Sequence, residues 1–328
     1  MGQPSESPDL VADLGGTNTR VGILRAGMLD RASIRRYRNQ DFSGLADVLD
    51  RYRADTGHKP AARLCLAAAG LVEDGRVSMT NLDWDISRTG LAQAAGLRQV
   101  LLLNDLQAQG YGLNRLAPAS LSAVFAPATR PRSGPSRKLV IGIGTGFNAA
   151  VVHPPVRPGR GVLVAPSETG HITLTVTDAA GLGLAAYLGR AHGMASVEDA
   201  LSGRGLAAID AWLAQGCGAA GQRAPAQVLA ALATGEARAA EAVALFVTLL
   251  GRVAGDLALI HLPFGGLCLA GGVARAVAPH LVRFGIEDAF RSKGRMTPFM
   301  APFGLRVIED DFAALEGCAA FLADADMA

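Results

Sequence analysis

The 328-residue sequence predicts an α/β protein built as two similar domains facing each other across a cleft. Three observations carry this. The length exceeds what one hydrophobic core usually organises, given roughly 150 residues per domain. Short apolar runs alternate with helical stretches. An apolar run, a glycine turn and a second apolar run at residues 10–24 return in the same shape at residues 139–152, so a similar hairpin opens each half of the chain.

The elements follow in order. Residues 10–24 form a β-hairpin with polar residues gathered around the Gly15-Gly16 turn. Residues 44–52 read as helix, and residues 63–69 and 100–103 as buried strands. The second hairpin turns on Gly142, Gly144 and Gly146. In residues 236–262, Val243, Phe246, Leu250, Val253, Leu257 and Ile260 recur in steps of three and four, which places one apolar stripe along a core helix. After it come the Gly265-Gly266 turn, a strand at 267–270, the Gly271-Gly272 turn and a further helix. Residues 311–322 are a short helix expected to pack back on the first domain. The division is therefore a small α/β domain, 1–115 plus 311–328, and a large one, 116–310.

Bulk properties exclude several functions. The chain is 50% hydrophobic and 18% charged, an ordinary globular balance, with net charge +2. Its dense basic run, Arg130, Arg132, Arg137 and Lys138, is interleaved with Pro, Ser and Gly and carries no aromatic residue. That is a solvated loop rather than a nucleic-acid surface. Cys65, Cys217, Cys268 and Cys318 never stand at C-x-x-C spacing, which argues against zinc and fits a reduced, cytoplasmic location. Met1 to Pro8 lacks the apolar core of a leader, and Glu6 breaks a myristoylation signal. The most apolar region, 242–274, is interrupted by Arg252, Asp256, His261 and Pro263, so no membrane role is expected.

The chemistry-bearing residues cluster in seven places. Asp13-Leu14-Gly15-Gly16-Thr17-Asn18-Thr19-Arg20 sets a carboxylate at the end of a buried strand, then glycines whose amides can approach an anion, then hydroxyls. This suits a phosphate cradle with a group for Mg²⁺; the plainer alternative is a hairpin turn whose polar side chains satisfy backbone. Gly144-Thr145-Gly146 offers a second amide-rich turn from the other half of the chain. Asn104-Asp105 follows a strand and opens a helix, where α/β sheets present ligand-binding groups. Asp105 is either a general base or the helix N-cap. Glu168 and His171 flank Thr169-Gly170 and could bind sugar hydroxyls or simply face solvent. Glu198 lies behind a Ser196–Asp199 capping box, which by itself assigns it only to the helix dipole. Gly271-Gly272, between strand and helix, could let an adenine lie against backbone or simply serve tight packing. Thr80-Asn81-Leu82-Asp83-Trp84 is a sugar-contact loop or a turn.

Taken in order, these segments resemble the bacterial glucokinase family of the hexokinase, actin and heat-shock ATPase superfamily, over nearly the whole chain. The resemblance rests on the Asp13 to Arg20 segment, Thr80 to Trp84, Asn104-Asp105, Gly144-Thr145-Gly146, Glu168-Thr169-Gly170-His171, Glu198 to Gly203 and Leu269 to Gly272. It implies the actin-like (ribonuclease H-like) ATPase fold and ATP-dependent phosphorylation of the 6-hydroxyl of glucose. Asp105 is then the base, and Asn104, Glu168, His171 and Glu198 hold the other hydroxyls. Asp13 acts near Mg²⁺ through water; Gly15, Gly16, Thr17, Asn18, Gly144, Thr145 and Gly146 cradle the phosphates; Gly271 and Gly272 border the adenosine. A homodimer is implied as well.

The sequence departs from the family pattern at Asn148 and Thr169, where glycines are common, and at Leu71, where Pro is. The family relatives' cysteine-rich zinc motif and N-terminal helix-turn-helix are both missing, so neither structural zinc nor DNA-binding regulation is expected. Mannose, fructose, glucosamine and N-acetylglucosamine are the rival acceptors. A sugar or nucleotide sensor without catalysis is the rival outside enzymes.

Overall fold

A computed structural model describes residues 7–79, 82–129, 134–155, 161–216 and 221–325. Thr80, Asn81, Arg130, Arg132 and Cys217 lie outside them. The chain folds as two units. One comprises Met1–Ala117, Pro154–Val164 and Asp310–Ala328; the other comprises Pro118–His153 and Ala165–Glu309.

In the first unit β1 (Asp9–Leu14), β2 (Asn18–Arg25) and β3 (Met28–Arg38) form an antiparallel meander. Helix α1 (Leu45–Thr56) then buries Leu45, Val48, Leu49 and Tyr52, one face at helical spacing, and stops at Gly57 in the left-handed region. Strand β4 (Arg63–Ala68), buried from Leu64 onward, joins β1 in parallel. A small antiparallel sheet follows, of β5 (Leu71–Glu73), β6 (Arg76–Ser78) and β7 (Ile86–Ser87). Leu71 opens it half exposed and pairs with Ser78. Helix α2 (Arg88–Ala94) leads to β8 (Gln99–Asn104), parallel to β4, and to α3 (Asp105–Gly112). The main sheet has the order β3-β2-β1-β4-β8.

The second unit repeats the plan. After β9 (Leu121–Phe125), the hairpin of β10 (Lys138–Ile143) and β11 (Phe147–His153) is antiparallel. Past β12 (Leu163–Ala165) come helices α4 (Ala179–Leu188), α5 (Val197–Ala200), α6 (Gly203–Gly216), α7 (Pro225–Ala233) and α8 (Ala237–His261). Strand β13 (Leu267–Ala270) runs parallel to β10, and α9 (Gly272–Leu281) and α10 (Ile286–Arg291) precede β14 (Leu305–Ile308), parallel to β13. The sheet order is β12-β11-β10-β13-β14-β9. An antiparallel hairpin joined to parallel strands is thus common to both sheets.

Helix α8 is the core helix of the second unit: Val243, Phe246, Leu250, Val253 and Leu257 are buried. The stripe ends there. Ile260, expected on it, is 64% exposed, because the helix leaves the core one turn before its left-handed cap at Leu262. By length and composition α8 could cross a membrane, but 61% of its most apolar window is buried in the protein.

The last helix, α11 (Ala313–Ala325), packs on α3 so closely that a β-carbon on Gly112 would meet the Ala313 carbonyl, and one on Gly317 the Ala108 carbonyl. Residues 154–155 and 161–164, placed with the large domain in the sequence reading, cluster with the first unit. Val164 accepts a hydrogen bond from Gln107 of α3 at 3.1 Å, and Gly161 lies against Asp324 of α11.

Candidate active site

Strand β1 ends at Leu14 and β2 starts at Asn18, so Gly15, Gly16 and Thr17 make the turn between them. Gly15 donates to the Asn18 carbonyl at 3.0 Å, leaving Gly16 and Thr17 exposed at the tip. Asn39, 2% exposed, holds this turn from behind. Its backbone N–H donates to Thr17 O at 2.9 Å, its Nδ2 to Gly15 O at 2.8 Å, and its Oδ1 accepts from Thr19 Oγ1 at 2.8 Å. A buried amide with these bonds fixes the backbone around it.

Asp13 faces Arg20 across the hairpin, with Oδ2 accepting from Nη1 at 3.1 Å. Burial pushes the Asp13 carboxyl above the ordinary carboxylate range, and the charge and hydrogen bond of Arg20 oppose this only in part. Among the described residues no group of three or more His, Cys, Asp or Glu is placed to hold a metal. A single carboxylate beside the exposed backbone of a glycine turn still suits Mg²⁺, which keeps several waters and takes other ligands from substrate phosphates.

Register places Asp13 opposite Ala67, and Asn104 opposite Ala68. Asp13 and Asn104-Asp105 therefore end parallel strands at the same carboxyl edge, two strand spacings or about 10 Å apart. The helix cap falls to Asn104, not Asp105. Asn104 Oδ1 accepts the Gln107 N–H at 2.6 Å, and Gln107 Oε1 accepts the Asn104 N–H at 3.3 Å. Asp105, the first residue of α3, accepts the Leu106 N–H at 2.8 Å through Oδ1.

In the second unit Gly144, Thr145 and Gly146 join β10 to β11, with Gly144 donating to Gly146 O at 2.9 Å and Thr145 exposed at the tip. Gly203 at the start of α6 donates to Gly144 O at 2.9 Å. Gly271, at φ 99°, lies against the Ile143 carbonyl where a β-carbon would collide. Both requirements select glycine. Gly272 then opens α9.

Glu198 sits under the same turn. Its Oε2 accepts the Phe147 N–H at 2.9 Å, its Oε1 accepts from Arg204 Nη2 at 2.8 Å, and any side chain on Gly146 would run into its carboxylate. The Ser196–Asp199 capping box is present too, so the cap reading is correct for the helix and incomplete for Glu198. Sequence reasoning had not singled out Arg204.

Glu168 and His171 bracket the single turn Thr169–His171, are 57% and 67% exposed, and come within 3.9 Å of each other. Asn148 ties this loop to β11: Oδ1 accepts the Thr169 N–H at 3.0 Å, and Nδ2 donates to Ser167 O at 2.5 Å. The first unit thus gathers Asp13, Gly15, Gly16, Thr17, Asn18, Asn104 and Asp105 at one sheet edge. The second gathers Gly144, Thr145, Gly146, Glu168, His171, Glu198, Gly271 and Gly272 around one hairpin end. Of the Thr80 to Trp84 segment, Leu82 and Trp84 are partly buried against the first core.

A sequence model of the glucokinase family matches residues 10–325. The chain belongs to the glucokinase family. It is an ATP-dependent hexose kinase of the actin-like ATPase fold. A glucokinase from Caulobacter vibrioides is 33% identical over 327 residues, covering 98% of this chain and 97% of that one. The structure of a glucokinase from an Antarctic psychrotroph superposes with TM-score 0.83 at 30% identity, covering 97% and 99% of the two chains. A ROK family glucokinase from Streptomyces griseus, solved with glucose and AMPPNP, shares the fold at TM-score 0.62 and 20% identity over 96% and 99%.

Proposed function

We propose that this glucokinase-family chain transfers the γ-phosphoryl group of ATP to the 6-hydroxyl of D-glucose, with Asp105 as general base. The observation that carries the assignment of the base is the position of Asp105. Its neighbour Asn104 caps α3, and Asp105 follows as the first residue of that helix at the carboxyl end of β8, on the sheet edge that also holds Asp13 and the Gly15–Thr17 turn. In the reaction the bond from O6 to Pγ forms, the bond from Pγ to the β,γ-bridging oxygen breaks, the hydroxyl proton passes to Asp105 and ADP leaves.

Asn104, Glu168, His171 and Glu198 bind the remaining hydroxyls. Gly15, Gly16, Thr17 and Asn18 in one unit and Gly144, Thr145 and Gly146 in the other bind phosphates through backbone amides and hydroxyls. Gly271 and Gly272 border the adenosine. Bound Mg²⁺ would offset charge on the β- and γ-phosphates; Asp13 would hold it through water. A cytoplasmic homodimer completes the reading, supported by family membership.

ADP release is measured with Mg-ATP and a panel of glucose, mannose, fructose, glucosamine and N-acetylglucosamine, for the natural chain and Asp105→Ala. Turnover is expected with glucose foremost, and a loss of about 10² to 10⁴ in the variant with nucleotide binding kept. Near-normal turnover in the variant removes Asp105 from the chemistry. Sugar binding without turnover in the natural chain turns the reading to a sensor.

A further inference from the structure

A cavity of about 510 Å³ in the second unit is lined by Gly144 and Thr145 of the glycine turn, by Gly203 and Arg204 of α6, by Arg223 and by Val273. Two arginines therefore face a space that begins at a phosphate-binding turn. They are held very differently. Arg223 is 21% exposed and locked, donating to Asp210 Oδ2 at 2.9 Å and to Glu236 Oε2 at 2.7 Å. Arg204 is 72% exposed, and its ion pair is with Glu198, itself only 19% exposed.

The backbone beside Arg204 is tied to the glycine turn, with Gly203 donating to Gly144 O at 2.9 Å. Its side chain, by contrast, is a long solvated stem whose fork fits a phosphate bidentately. Glu198 has one oxygen committed to Phe147 and the other to Arg204. An anion beside Thr145 competes with Glu198 Oε1 for the same guanidinium.

We propose that Arg204 binds a phosphate of the nucleotide and, in turning to it, releases Glu198 Oε1 to accept a sugar hydroxyl, so that nucleotide tightens sugar binding. This rests on the kinase reading above and adds to it a nucleotide-binding residue and a coupling between the two ligands. The size of the coupling is bounded by what the pair contributes while solvated, which corresponds to roughly two- to five-fold in affinity.

The test uses the full chain and Arg204→Met, which keeps the apolar stem and removes the charge. Calorimetric titration gives the Kd for glucose with and without saturating Mg-AMPPNP, and the Kd for Mg-AMPPNP alone. In the natural chain the analogue is expected to lower the glucose Kd about two- to five-fold. In Arg204→Met the glucose Kd without nucleotide should already be the lowered one, unchanged by the analogue, and Mg-AMPPNP should bind several-fold more weakly. Equal analogue dependence in both chains, or unaltered Mg-AMPPNP affinity in the variant, overturns the inference. Failure of the natural chain to bind any hexose overturns the kinase reading instead, and the Mg-AMPPNP comparison still decides the phosphate contact.

Discussion

The Asn148 side-chain carbonyl accepts the Thr169 backbone N–H at 3.0 Å, joining the two positions that the sequence reading marked as departures from the family pattern. Ser167 closes the cluster, its hydroxyl within 3.1 Å of Asn148 Oδ1 and 2.8 Å of Thr169 Oγ1. The two departures are one feature, a polar clamp that fixes the loop bearing Glu168 and His171.

Asn148→Ala removes that clamp and leaves the Ser167 carbonyl and Thr169 N–H without it, at a cost of about 1–3 kcal/mol. Steady-state kinetics should show the sugar KM raised about ten-fold, with the ATP KM little changed. Asn148→Asp, which keeps the acceptor and loses the donor, should fall between. An unchanged sugar KM in both variants would sever the clamp from sugar binding.

Asp13 sets function against stability. Its carboxyl is raised by burial, only partly offset by Arg20, so the folded chain holds the proton more tightly than the unfolded one. For an acid with that sign, stability is lost as pH rises from the unfolded value of about 3.9 through the folded value. Asp13→Asn should therefore be at least as stable as the natural chain near neutral pH, Arg20 being 29% exposed and free to reach water, while turnover falls by orders of magnitude. Urea unfolding from about pH 4 to about pH 8, run beside the ADP assay, checks both halves.

Asp210 has the opposite sign. Burial pushes its carboxyl up, but hydrogen bonds and charge from Arg223 and Arg238 outweigh burial and hold it below the ordinary range. Its contribution is complete above about pH 4 and disappears as pH falls through the lowered folded value. Asp210→Ala removes the buried carboxylate shared by Arg223 and Arg238 and leaves both arginines with Glu236 alone, which should cost about 1–3 kcal/mol. Because Arg223 also lines the cavity proposed above to take the nucleotide, the same variant should change the affinity for Mg-AMPPNP. A variant with the natural unfolding midpoint would remove the network from the stability of this unit.

Much of the fold was legible because it depends on local pattern. Both glycine hairpins, strands β4, β8 and β13, and the stripe of α8 up to Leu257 follow from apolar spacing and turn residues. The site was legible only as residue types. The positions of Asp13, Asn104 and Asp105 at strand ends could be anticipated; which of the last two caps α3 could not, since both are good caps and only geometry chooses. Asn39 was out of reach, because its work on the Gly15 turn depends on how β3 registers against β2. Arg204 stood one residue beyond a recognised motif, but its partner Glu198 and its cavity exist only once α5, α6 and the β10–β11 turn have come together.

The close crossing of α3 and α11 carries a consequence for synthesis. The helix that begins with Asp105 rests on one made of residues 313–325, and their glycines leave no room for a substitute surface. On the ribosome, residues 165–309 emerge before that partner does. The first unit, although begun first, is therefore completed after residues 165–309 have emerged, and the proposed base gains its settled support only once residues 313–325 have followed them.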